Sequence, residues 1–202
     1  MRAEPPPAAA ASLAAVPTPP ARSDARRNRE AVLESAVRLL GERPGASMRE
    51  VADASGLGRT TVYRHFPSRE ALVRALFERV VEEARVVAEA ATHRDGPAVD
   101  ALRWLGPQFV ELGQRFRFLE AHRDLRGEAL AQTEPELDEP LPVFLEAAQR
   151  RGELRDDRPV AWVLAMLRGL TIATIDEVTA GRLDAEDAGR LLGDALVDLT
   201  GP

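Results

Sequence analysis

The stretch Met48–Arg69, MREVADASGLGRTTVYRHFPSR, constrains this chain more than any other. Ser47 stands three residues before Glu50, the spacing of a capping box in which a hydroxyl and a carboxylate each satisfy a free backbone N–H at a helix start. Val51 and Ala52 then face inward, and Ala52 is small enough to let a second helix come close. Gly56 ends that helix and Leu57 reads as the buried plug of a turn. Gly58 takes the cap of the next helix, Arg59–Phe66, where Gly is acceptable though weaker than Ser. Pro67 stops that helix and Ser68 caps another. Two short helices joined by a glycine-bounded turn and closed by a proline read as a helix-turn-helix.

The composition of the second helix says what such a unit would touch. Val62 and Phe66 point inward, leaving Arg59, Thr60, Thr61, Tyr63, Arg64 and His65 largely outward. A solvated face rarely combines Thr-Thr and Tyr with this much Arg. A face lying in a nucleic-acid groove does, because hydroxyls and guanidinium groups reach phosphates and base edges and the Thr methyl packs on thymine. The net charge of −6 argues the other way, but its distribution matters more than its sum. Residues 1–70 carry 11 Arg against 8 acidic residues, whereas 71–202 carry 16 against 25, and no Lys occurs anywhere. The basic part is the part with the turn motif.

Upstream, residues 1–23 are almost entirely Ala, Pro and small polar residues and read as a disordered tail. Glu4 and the Pro5–Pro7 triplet spoil a signal-peptide reading. A first helix over Asp24–Gly41 places Val32, Ala36, Leu39 and Leu40 on one face, and Gly41, Pro44 and Gly45 end it.

The run VADASGLGRTTVYRHFPSREAL, together with the first helix and the capping box, resembles the DNA-binding signature of the tetracycline-repressor (TetR) family over about residues 26–77. Gly58 departs from the family pattern, which more often has Ser there. The resemblance implies a recognition helix in the major groove, with Arg59, Thr60 and Thr61 near base edges. It sets Tyr63, His65 and Arg69 near phosphates, and Arg49, at the start of the second helix, near the backbone as well. Each position has a plainer reading: Tyr63 as a packing residue, His65 as a local hydrogen-bonding group, Arg64 as a solvated charge.

Downstream, Arg69–His93 reads as a long uninterrupted helix, a rod leaving the turn unit. Helices are expected over Pro97–Gly113, Arg115–Leu130 and Val143–Arg151, with an acidic, exposed connection over Thr133–Pro142. Arg155–Arg158 reads as a charged turn. Val160–Ala180 is apolar nearly all round, which predicts burial on more than one side. Asp184–Leu199 carries an apolar stripe. A second subunit packing on these last two helices explains the pattern, as does a central position within one domain. The family resemblance favours the first, implying a homodimer through the helices of Val160–Leu199, a symmetry suited to palindromic duplex sites.

Enzyme chemistry has no constellation behind it. His-Arg-Asp occurs at His93–Asp95 and His122–Asp124 without the Asn a kinase catalytic loop needs. Gly58-Arg59-Thr60 lacks the Lys of a phosphate loop. His65, His93 and His122 are far apart, so neither a metal nor a cofactor is expected, and the chain has no Cys. A small-molecule site is more plausible. Trp104, Phe109, Phe116, Phe118, Phe144, Trp162 and Met166 hold most of the large side chains, with His122 and Arg168 as candidate polar contacts. The same residues also fit a plain core. No apolar run approaches the roughly 20 residues needed to cross a bilayer.

The expectation is therefore an all-α chain with a disordered tail (1–23), a three-helix helix-turn-helix domain (24–70) and a larger helical effector-binding and dimerisation domain (71–202). Double-stranded DNA and a small-molecule effector are its expected partners, the membrane is not, and the cytoplasm is its expected place. The function expected is a ligand-responsive transcriptional regulator, most often a repressor in this family. The alternatives are a helical ligand-binding protein with a vestigial DNA surface, or a small all-α enzyme.

Overall fold

The computed structural model describes residues 22–122 and 139–201, and the described residues are helical throughout, joined by short turns. The helices are α1 (Arg22–Glu42), α2 (Met48–Ser55), α3 (Arg59–His65), α4 (Arg69–Thr92), α5 (Ala98–Arg115), α6 (Pro140–Arg150), α7 (Val160–Thr179) and α8 (Ala185–Thr200), with a 3-10 turn at Arg117–His122 after α5. The expected tail lies outside the described residues as far as residue 21, and Arg22 and Ser23 already belong to α1.

Local signals place the helix starts. The Ser47 hydroxyl accepts from the Glu50 N–H at 3.3 Å, and the Glu50 carboxylate accepts from the Ser47 N–H at 2.8 Å, completing the capping box. The Ser68 hydroxyl accepts from the Ala71 N–H at 3.1 Å and starts α4. Asp184 caps α8 through the N–H groups of Glu186 and Asp187.

Two boundaries differ from expectation. Gly113 was expected to end α5, yet the helix runs on to Arg115. An ideal Cβ on Gly113 would lie 2.6 Å from the Ile175 side chain, so this glycine makes room for α7. Instead of a helix from Arg115, the 3-10 turn follows as far as His122, and the remainder of that expected helix lies in 123–138, outside the described residues. Most of the acidic connection lies there too, but its end does not behave as an exposed loop. Pro140 opens α6, where a missing N–H costs nothing, and Leu141 and Pro142 are buried.

Two apolar cores result. The first joins Val32, Leu40, Val51, Val62, Phe66, Leu72 and Leu76 with Leu112, Phe116, Phe118 and Leu119 from the end of α5 and the 3-10 turn. The turn unit therefore shares its core with the body. The second core, around Leu102, Leu105, Leu145, Val163, Leu192 and Leu196, holds the body together. α4 spans both, and Ala84 touches each.

The tightest contact is between α5 and α8. An ideal Cβ on Gly106 would lie 2.3 Å from both the Gly189 carbonyl oxygen and the Gly193 nitrogen, and one on Gly193 would lie 2.3 Å from the Arg103 carbonyl oxygen. Pro107 sits four residues after Arg103 and has no N–H to give that carbonyl, which instead faces the bare Gly193 backbone. Among the described residues no helix is long and apolar enough to cross a membrane.

Candidate nucleic-acid interface and body cavity

The turn between α2 and α3 is built as its sequence requires. Gly56 ends α2 at φ +69°, a left-handed conformation that glycine adopts without steric cost. Leu57 packs half-buried against the first core. Gly58 precedes α3 with no side-chain cap. Val62 and Phe66 then anchor α3, at 0% and 2% exposure.

This anchoring turns the opposite face of α3 outward. Arg59, Thr60, Tyr63 and Arg64 are exposed, as is Arg49 in the first turn of α2, and Thr61 is half-buried beside them. Tyr63 is 44% exposed, so part of its side chain is open to solvent on this face. Asp53, which the sequence reading did not single out, lies among these groups. One of its carboxylate oxygens is 4.0 Å from Nε of Arg49 and the other 3.9 Å from Nε of Arg59. Its position four residues after Arg49 was the available signal, since side chains at that spacing meet on a helix.

Two of the expected contacts sit differently. Arg69 is half-buried and donates from Nη2 to the Pro44 carbonyl at 2.8 Å and from Nη1 to the Ala46 carbonyl. Its guanidinium thus clamps the α1–α2 loop. His65 is half-buried, and its Nε2 has no hydrogen-bond partner. Burial pushes its imidazole below the ordinary value, with the Arg64 and Arg29 charges acting in the same direction. Arg29 itself lies over the Phe66 ring, 5.4 Å from its centroid.

In the body, a cavity of about 470 Å³ opens between α4, α5, the 3-10 turn, α6 and α7. Phe77, Val80, Phe109, Leu112, Phe116, Leu167, Ile172 and Ile175 give it apolar walls. Of the residues expected to line a site, Phe109 and Phe116 do so, and Arg168 joins them. The others are elsewhere. Trp104 lies under the Arg94 guanidinium at 4.6 Å, Phe118 belongs to the first core and Phe144 packs on the second. His122 ends the 3-10 turn away from the walls, while Trp162 and Met166 lie on the surface at 40% and 37% exposure.

A run of charges connects this cavity with the turn unit. Glu30 of α1 pairs with Arg79 of α4, Arg79 donates from Nε to Glu83 at 2.8 Å, and Glu83 pairs with Arg115 at the end of α5. The Arg115 guanidinium lies 5.0 Å from the centroid of the Phe116 ring, part of the cavity wall. Among the described residues no group of three or more His, Cys, Asp or Glu side chains is arranged to hold a metal ion.

Comparison with known proteins agrees with this geometry. Residues 32–76 match the family model described as bacterial regulatory proteins, tetR family. The chain is 37% identical over 97 residues to the HTH-type transcriptional repressor LfrR of Mycolicibacterium smegmatis, covering 48% of this chain and 51% of that protein. It is 43% identical over 56 residues to the HTH-type transcriptional regulator EthR of Mycobacterium tuberculosis, covering 27% and 26%. The alignments thus span about half the length of the first of these curated relatives and about a quarter of the second. A crystal structure of LfrR in complex with proflavine superposes with a TM-score of 0.60 at 26% identity, over 85% of this chain and 95% of that one. With its turn motif and exposed α3 face in place, the segment 32–76 belongs to the TetR family of bacterial regulatory proteins, and the all-helical body that follows takes a fold similar to that of LfrR.

Proposed function

We propose that this protein is a sequence-specific transcriptional regulator that binds a palindromic operator as a homodimer and changes its grip when a small molecule enters the body cavity. The observation carrying this reading is the α3 face. Arg59, Thr60, Tyr63 and Arg64 stand outward on a short helix fixed from behind by Val62 and Phe66, with Arg49 alongside. Such a face supplies phosphate contacts that set register and base-edge contacts that specify sequence.

Dimerisation is supported by α7 and α8. Trp162, Met166 and Leu170 recur at helical spacing on the outer side of α7, and Leu191 of α8 is 47% exposed. An exposed apolar stripe of this kind suits helix-on-helix packing of two copies. Pairing also answers the modest charge of a single turn unit, because two copies double the phosphate contacts.

Effector control is supported by the cavity and by the core shared between Phe116, Leu119 and the turn unit. A molecule that prefers one spacing of the two recognition helices shifts the dimer toward it by the difference in its affinity for the two states. Repression follows the relative named a repressor, and action on chromosomal DNA puts the protein in the cytoplasm.

Selection of bound duplexes from random DNA, followed by affinity measurement across a salt series, tests the reading. A palindromic consensus and a steep fall of affinity with salt are expected. Absence of any duplex preference, or a monomer in sedimentation at micromolar concentration, defeats it.

A further inference from the structure

We infer that Arg79 and Glu83 of α4 are positioning residues that fix the turn unit against the body and thereby set the half-site spacing the dimer accepts. This rests on the homodimer reading above, because spacing has meaning only for two copies on one duplex.

The two side chains stand one turn apart on α4, joined by a bond of 2.8 Å from Nε of Arg79 to Glu83. Each then reaches to a different helix. Arg79 extends Nη1 to Glu30 of α1, 49 residues earlier, and Glu83 uses its other carboxylate oxygen for Arg115 at the end of α5. Four charges of alternating sign therefore run from the turn unit, across α4, into the body. A second pair runs beside them. Glu78 meets Arg29 of α1 at 3.5 Å, and Arg29 in turn lies over Phe66, which anchors α3. The pairs that Arg85 makes with Glu82 and Glu89, by contrast, join residues of α4 to one another.

Burial distinguishes this network from ordinary surface pairs. Arg79 and Glu83 keep only 24% and 25% of their side chains in solvent. At that depth water screens them less, and a charge deprived of its partner is costly. The apolar core that the turn unit shares with Leu112, Phe116 and Leu119 supplies adhesion. Apolar contact is non-directional and tolerates a slide or a rotation. Charge-assisted bonds from a planar guanidinium do not, since they weaken steeply away from their geometry. The core holds the two parts together, and the network fixes the angle between them. That angle aims α3, because α1 and α3 share one core through Val32, Val62 and Phe66. In a dimer joined through its bodies, the same angle sets the distance between the two α3 helices, and so the spacing of half-sites.

The test uses the full-length protein and duplexes carrying two copies of the selected half-site, with the central spacer varied one base pair at a time. The natural protein is expected to prefer one spacing. Arg79→Met keeps the apolar stem and removes the charge, and should shrink that preference about fivefold, the scale of one hydrogen bond's net contribution. Its affinity for a duplex with a single half-site should match that of the natural protein, because the α3 face is untouched. Arg79→Lys should recover part of the preference, since it keeps the charge but lacks the planar fork that reaches two carboxylates. Arg150→Met, which breaks a pair within α6, should leave the spacing profile as it was. A lower urea midpoint for Arg79→Met with an unaltered spacing profile means a merely structural role and overturns the inference. So does a natural protein that selects a half-site but is indifferent to spacing. If no half-site emerges from the selection at all, the regulator reading falls and this inference with it.

Discussion

Arg69, the first residue of α4, donates a hydrogen bond of 2.8 Å from Nη2 to the carbonyl oxygen of Pro44, a residue 25 positions earlier in the loop before α2. With its second bond to the Ala46 carbonyl, this side chain fastens the helix that leaves the turn unit to the segment that enters it. Arg69→Ala removes both bonds and strands the Ala46 carbonyl, while the exposed Pro44 carbonyl turns to water, so unfolding free energy is expected to fall by about 1–2 kcal/mol, read from urea unfolding. A variant of unchanged stability and weakened duplex binding would return Arg69 to the phosphate role that the family resemblance implies.

Asp53 places a carboxylate between Arg49 and Arg59, where duplex phosphates are proposed to lie. Removing its charge while keeping its shape, by Asp53→Asn, takes away a local repulsion of phosphate and frees two guanidinium groups. All three side chains are more than half exposed, so the effect is screened. Affinity for random duplex is expected to rise about threefold and the ratio of operator to random affinity to fall. Fluorescence anisotropy at a single salt concentration reads both, and unaltered random-duplex affinity would remove Asp53 from the interface.

Tyr63 and Thr61 are expected to fail in different ways. Tyr63→Ala should weaken binding to most sequences alike, because a phosphate contact carries no base information. Thr61→Ala should relax preference at one base position, by about 1–3 kcal/mol of discrimination. Repeating the duplex selection with each variant separates the two roles, and identical profiles would dissolve the distinction.

His65 carries a pH prediction. Burial of its partnerless Nε2 holds the folded pKa below the ordinary value near 6.5, so the unfolded chain takes up a proton first as pH falls. The stability this provides is complete above the ordinary value and is lost as pH drops through the depressed one. Urea midpoints of the natural protein should therefore fall more steeply than those of His65→Gln between about pH 7 and about pH 5. Parallel profiles would mean that the ring titrates as freely in the fold as outside it.

Gly106 is predicted to tolerate nothing larger. A Cβ there meets backbone atoms of Gly189 and Gly193 at 2.3 Å, and backbone has no alternative rotamer. Gly106→Ala is expected to cost about 3 kcal/mol, the upper part of the range for overpacking, or to prevent folding. Differential scanning calorimetry checks it, and a midpoint within a degree or two of the natural protein would contradict the close crossing.

What the sequence revealed and what it hid divide by distance along the chain. Ser47, Glu50, Gly56 and Ser68 act within a few residues of themselves, so the turn unit was legible almost to the residue. The role of Arg69 depends on carbonyls 23 and 25 positions away, and a guanidinium group looks the same whether it faces a phosphate or a loop. Side-chain size misled in the body for a related reason. Trp162 and Met166 share α7 with Ile172 and Ile175, yet only the second pair lines the cavity, because the helix is apolar around most of its circumference and periodicity could not choose a face. The membership of Leu112 and Phe116 in the first core is a tertiary fact with no local signature.

That two-sidedness of α7 has a mechanical meaning. Leu164, Arg168 and Ile175 look into the cavity, while Trp162, Met166 and Leu170 look out from about half a turn around the same rod. The helix is a party wall. Only its own thickness, roughly 10 Å, separates a tenant on one side from whatever leans on the other. A guest that shoulders the wall outward has no loop or linker in which to lose the push. If two copies stand back to back there, each chamber borders its neighbour's masonry, and a single guest rearranges both rooms.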